Sequence, residues 1–242
     1  MEERELAPDI VSSPYFEKNV MTIPIEEEGS REIGPLYPFL ISGGSNTERY
    51  YFTHINDITD YKFNIRPRYF ADESKYTEIF PLRIKEILDT NTDAKIYCVF
   101  DLDTVYCDKS KDHKLNEKHE KFIDQFKLEI LSGVLTICPS MPCIEYWFLL
   151  HFEEHTSLLK NYTQVSNRLG PHLKPYFNNS DKRLKKLLKS EKYLRDPSWV
   201  QKLCADGKLE LAIDRAEKII MDSEVTNDLN NHSFTYVYKL FK

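Results

Sequence analysis

The sequence predicts an α/β fold, a parallel sheet covered by helices with a helical C-terminal extension. Two observations carry this expectation. Between residues 37 and 156, short apolar runs alternate with segments of helical spacing, the pattern of repeated strand–helix units. One run, Ile96-Tyr97-Cys98-Val99-Phe100, is apolar throughout, as a strand buried on both faces of a parallel sheet should be. A chain of 242 residues that is 41% hydrophobic can bury one large domain with a small appendage.

The elements follow in order. Residues 1–34 read as an acidic N-terminal arm punctuated by Pro8, Pro14, Pro24 and Gly34, with at most a short strand at Val20–Ile25. Residues 35–156 form the core. Phe39-Leu40-Ile41 is strand-like, and Gly43-Gly44-Ser45 turns into a helix carrying Tyr51, Phe52, Ile55 and Ile58. Tyr61–Phe70 is extended, with Pro67 placing it near an edge. Tyr76, Ile79, Phe80, Ile84, Ile87 and Leu88 fall at helical spacing before the strand that ends in Asp101. Beyond a polar loop, Leu115, Phe122, Phe126 and Ile130 mark a helix, Val134–Cys138 a strand and Cys143–Glu154 a strongly apolar helix. Ser140 is a candidate N-cap for that helix, and Pro142 a first-turn proline. Residues 157–242 carry helical segments near 157–169, 181–195 and 208–222, with no clear strand, and are expected to pack on the core.

Composition narrows the setting. No stretch approaches the roughly 20 apolar residues of a membrane span, and the acidic start is unlike a secretory signal. Five cysteines without paired zinc spacing suggest reduced thiols in a cytoplasmic protein. The net charge of -6 resides in residues 1–33, which hold nine acidic and three basic side chains. The remainder is balanced, so bulk charge does not choose the partner.

Four segments could carry chemistry. Asp101 and Asp103 alternate along a strand end and so project to one side, where they are either solvated or hold a divalent cation. Ser45-Asn46-Thr47-Glu48 follows the glycine turn and matches a capping box, although Glu48 could instead face the aspartates across the strand ends. Glu145 stands near a helix start amid large apolar residues, as a dipole partner or as a ligand. Lys182, Arg183, Lys185, Lys186, Lys189, Lys192 and Arg195 crowd one stretch against the single acid Glu191. Such a face is either merely solvated or neutralises phosphates. His151-Phe152-Glu153-Glu154-His155 also matches the zinc pattern H-x-x-E-H. No third ligand is evident, however, and His151 continues the apolar stripe of Ile144, Trp147 and Phe148, so a core histidine is the simpler reading.

Together, Ser42–Phe52, Val99–Asp103 and Ser140–Phe152 resemble the RloB-like family of bacterial Toprim proteins, with a looser echo at Ser233–Leu240. The resemblance covers roughly residues 37–156. It implies a Toprim-like core in which Asp101 and Asp103 hold Mg²⁺ (or Mn²⁺), with Glu48 and Glu145 completing or orienting the shell. It further implies phosphodiester chemistry on nucleic acid (tRNA, other RNA or DNA), and an anti-phage role alongside an ABC-type ATPase. One departure stands out, because the first-motif glutamate of Toprim folds aligns with Gly43. Either Glu48 supplies the missing oxygen, or the chain is a weakened module that binds nucleic acid or a partner protein.

Overall fold

The wholly apolar run is indeed the middle of a sheet. Strand β3 spans Ile96–Asp101, with its first five residues buried and Asp101 half-buried at the end. The computed structural model describes residues 37–44, 46–66, 76–102, 113–177 and 182–242. All lie in the unit Leu36–Lys242. The expected N-terminal arm, Ser45, Pro67 and Asp103 are outside the described residues.

Strand β1 (Phe39–Ser42) is flanked in parallel by β2 (Asn64–Arg66) and by β3. Strand β4 (Leu135–Met141) continues the parallel sheet, and β5 (Phe234–Thr235) closes it antiparallel, giving the order β2-β1-β3-β4-β5. The extended segment after Tyr61 therefore is an edge strand, as expected. A C-terminal strand was not expected. Two residues leave no period to read, and only the pairing of Ser140 with Thr235 and Met141 with Phe234 defines it.

That pairing also corrects the reading of Ser140, which belongs to β4 and does not cap a helix. Its Oγ lies 2.7 Å from Thr235 Oγ1, and the Pro139 carbonyl accepts from the Tyr236 N–H at 2.9 Å. Pro142 follows through a cis peptide bond and precedes the helix.

Helix α1 (Thr47–Ile58) buries Tyr51, Phe52, His54 and Ile55, with Tyr51 against Phe148 and Trp199 and His54 on the Leu194 carbonyl at 2.7 Å. Helix α2 (Tyr76–Thr90) buries Phe80, Ile84 and Ile87, at the four- and three-residue steps of one helical face. The expected helix through Ile130 is two, α3 (His113–Gln125) and α4 (Lys127–Leu131), parted at Phe126, where φ is -114° and ψ 24°. Helix α5 (Glu145–Leu150) is shorter than the apolar stretch containing it, yet every residue in it is buried.

The C-terminal region wraps this core. Helix α6 (Tyr162–Leu173) starts at Asn161, whose side chain accepts from the Gln164 N–H, and buries Val165, Leu169 and Leu173. The basic stretch is not one helix. Helices α7 (Leu184–Leu188) and α8 (Glu191–Leu194) are separated at Ser190, which is extended at φ -102° and ψ 114°. Helix α9 (Ser198–Cys204) leads to α10 (Lys208–Thr226), which ends where Asn227 turns left-handed at φ 53° and donates to the last carbonyls. A short turn, Val237–Phe241, returns the chain to the core, where Phe241 stacks on Trp147 with ring centres 5.6 Å apart. Trp147 in turn donates to Tyr51 Oη at 2.8 Å, so this aromatic cluster spans α1, α5 and the C-terminal turn.

Candidate active site

The site forms where β1 and β3 stop. After Ser42 the chain turns at Gly43 and Gly44, and the N–H of Gly43 still donates to Val99 O at 2.9 Å. A Cβ on Gly44 would overlap the Glu48 carboxylate, so only glycine lets that side chain fold back over the turn. Gly43 differs. It is exposed, and a Cβ there would meet nothing nearer than Phe100 Cβ at 3.5 Å, an ordinary contact.

Glu48 is the second residue of α1 and only 6% exposed. The helix begins after Asn46, whose side chain makes no cap to its own helix and donates instead to Lys189 O at 3.4 Å. Next to it, Thr47 Oγ1 donates to Leu188 O at 2.6 Å. These bonds fasten the end of α7 to the start of α1. Burial, and then the charge of Glu145, push the Glu48 carboxyl from 4.5 up to about 7. Its own backbone N–H and Lys189 pull in the opposite direction. Glu48 is therefore near enough to Glu145 to feel its charge.

Glu145 is the first residue of α5 and is likewise buried. The N-cap of α5, Ile144, has no side-chain cap of its own. Asp101 acts in that place from the adjoining strand, its Oδ1 accepting the Ile144 N–H at 2.8 Å. Cys143 feels two of the acids: burial, then Glu145 and Asp101, raise its thiol well above the usual range. Asp101 thus stands at the start of the helix that carries Glu145, and Glu48 feels the Glu145 charge, while Asp103 falls outside the described residues. Among the described residues, no three His, Cys, Asp or Glu side chains stand ready to enclose a metal.

Tyr162, the first residue of α6, was not anticipated from sequence. Burial and the nearby Glu145 and Cys143 raise its phenol, and its buried hydroxyl has no hydrogen-bond partner among the described residues. Nothing in the sequence separates this tyrosine from the other fourteen. Of the basic residues, Lys189 acts on Glu48, and Lys185 lies 5.6 Å over the Tyr162 ring. Arg183 lines the same cleft as Lys185. Lys182 turns to Tyr193, donating to its hydroxyl at 2.9 Å, and Lys186 is exposed.

The zinc pattern dissolves. Helix α5 ends at Leu150, so His151 and His155 are not joined by a helical turn. His151 is buried with Nδ1 on Leu203 O at 2.8 Å, and burial lowers its ring to about 3. Glu154 pairs with Lys218 at 2.9 Å.

Fold and site together define an α/β protein with a largely parallel sheet, in which Asp101 ends a central strand and bonds the helix that begins with Glu145. The chain belongs to the RloB-like family: the family model described as RloB-like protein matches residues 39–242. No curated protein and no solved structure gives a significant match.

Proposed function

We propose that this protein is a metal-dependent nuclease that hydrolyses phosphodiester bonds in RNA or DNA. The observation that carries the reading is the pair of buried glutamates, Glu48 and Glu145, close enough for one charge to raise the other's carboxyl, with Asp101 bonded to the start of the Glu145 helix. Two carboxylates held together out of water repel each other, and a hard cation relieves that repulsion. The donor chemistry fits Mg²⁺ or Mn²⁺. Magnesium keeps several waters and is commonly held by one or two carboxylates plus substrate phosphate, so it needs no closed protein cage.

On this reading Asp101, Asp103 and Glu48 hold the ion, which when bound polarises the scissile phosphate and favours hydroxide. The chain's own residues do the rest. Glu145, buried near Glu48, accepts the proton of the attacking water. Lys189 draws the Glu48 carboxyl toward the ionised form that a cation needs. Lys182, Arg183, Lys185 and Lys186 meet the substrate backbone. The Toprim relationship, anti-phage defence and control by an ABC-type ATPase rest on the resemblance in motifs and complete the proposal.

The test is incubation with tRNA, single-stranded DNA and plasmid, with Mg²⁺, Mn²⁺ or EDTA. Metal-dependent cleavage that disappears in Asp101→Asn, Asp103→Asn and Glu48→Gln is expected. Equal cleavage by those variants would overturn the reading.

A second reading, a catalytically weakened Toprim module that binds nucleic acid or a partner, is favoured by Gly43. The exposed turn has room for a side chain there, so Gly43→Glu should fold normally. A silent wild type that gains cleavage on Gly43→Glu would establish this second reading.

A further inference from the structure

Beside the acid cluster lies a cleft of about 770 Å³ between α6 and α7. Lys174, Arg183 and Lys185 line it, with Ser166 and Asn167 among its polar groups. Among the described lining residues none is acidic. Tyr162 belongs to both places. Its ring lines the cleft beneath Lys185, while its buried hydroxyl has no hydrogen-bond partner among the described residues and feels the charges of Glu145 and Cys143. Tyr162 thus joins the cleft it lines to the acids whose charge it feels.

We propose that the α6–α7 cleft seats a single strand of nucleic acid, with its phosphates on Lys174, Arg183 and Lys185 and a base against Tyr162. This rests on the phosphodiester reading of the acids and names the substrate form it takes. Three features point to one strand. The volume falls within the roughly 300–1,000 Å³ of clefts that enclose small ligands, enough for a nucleotide or two turned inward. A duplex is stiff over about 150 base pairs and keeps its bases stacked inside, so it cannot fold into such a recess. Finally, a cationic groove with an aromatic ring is the arrangement by which single strands are held without reading their sequence.

The experiment is fluorescence anisotropy of a labelled ten-nucleotide single strand and of its duplex, on the full chain in EDTA, so that binding is read without cleavage. The single strand should bind at least tenfold tighter than the duplex. Arg183→Ala with Lys185→Ala should weaken it about tenfold and lower the slope of log K against log salt by about 1.4, at roughly 0.7 per phosphate contact. Thr163→Trp, at an exposed position lining the cleft, fills the space without removing charge and should also abolish the preference for single strands. Equal affinity for duplex, an unaltered Thr163→Trp protein, or equal competition by a mononucleotide would each overturn the proposal. The two readings fail separately. Binding that obeys these expectations in a protein that never cleaves would sink the nuclease and keep the cleft. Cleavage that ignores Thr163→Trp would do the reverse.

Discussion

At the scale of single residues, Glu48 sets stability against chemistry. Its carboxyl ionises near 4.5 in the unfolded chain and near 7 in the fold, so the folded state holds the extra proton between those values. The contribution to stability is whole below pH 4.5 and is lost as pH rises through 7, by roughly 3 kcal/mol. Urea unfolding at pH 5 and pH 8 should show this loss in the wild type and little of it in Glu48→Gln, which should be the more stable protein at pH 8. A divalent cation should act on the same group. Millimolar Mg²⁺ should raise the melting temperature of the wild type by about 2–4 °C per kcal/mol of binding and leave Glu48→Gln unmoved. Asp101 has two duties that substitution can separate. Asp101→Ala leaves the Ile144 N–H without its acceptor and should cost about 1–3 kcal/mol. Asp101→Asn keeps an acceptor there, so it should retain most of the stability while losing cleavage. Thermal melts beside nuclease assays of the two variants decide this.

At the scale of elements, the link between α7 and α1 decides where the basic stretch lies. Helix α7 has five residues, too few to persist alone, and stays helical because Leu184, Leu187 and Leu188 are buried. Thr47 and Asn46 then bond the carbonyls of Leu188 and Lys189, where the helix leaves them unpaired. Tyr50 continues the seam by donating to Glu191 at 2.9 Å. Thr47→Val should therefore loosen the stretch at a cost of about 1 kcal/mol, and more if the Leu188 carbonyl stays dry. Faster amide exchange across 184–194, with the sheet unchanged, is the expected result. The basic pattern itself was plain in the sequence. Its division at Ser190 was not, because lysine and leucine both favour helix, and the break is imposed by how the two pieces dock.

For the whole molecule, the C-terminus completes the sheet and seals the aromatic cluster. Phe241 is buried, stacks on Trp147, and its carbonyl accepts from Tyr61 Oη at 3.2 Å. Phe241→Ala should cost about 3–5 kcal/mol and lower the denaturant midpoint. The parallel core was legible because strands buried on both faces need continuous apolar runs and their covering helices need an apolar stripe, and each is a local pattern. Asp101 could be marked for the same reason, as the polar end of such a run. The duty of Ser140 could not be read, because its partner Thr235 lies 95 positions away, nor could the two-residue β5. Tyr162 carried no local signal either, since its importance comes from facing Glu145 and Cys143 across the fold. By itself the sequence determined the parallel strands, the apolar faces of the helices that cover them and the acid that ends β3, since those follow from neighbours within a few residues. Only the tertiary structure decided that Glu48 and Glu145 share one dry corner beneath a basic segment, because burial and charge proximity arise between parts of the chain that the linear order keeps apart.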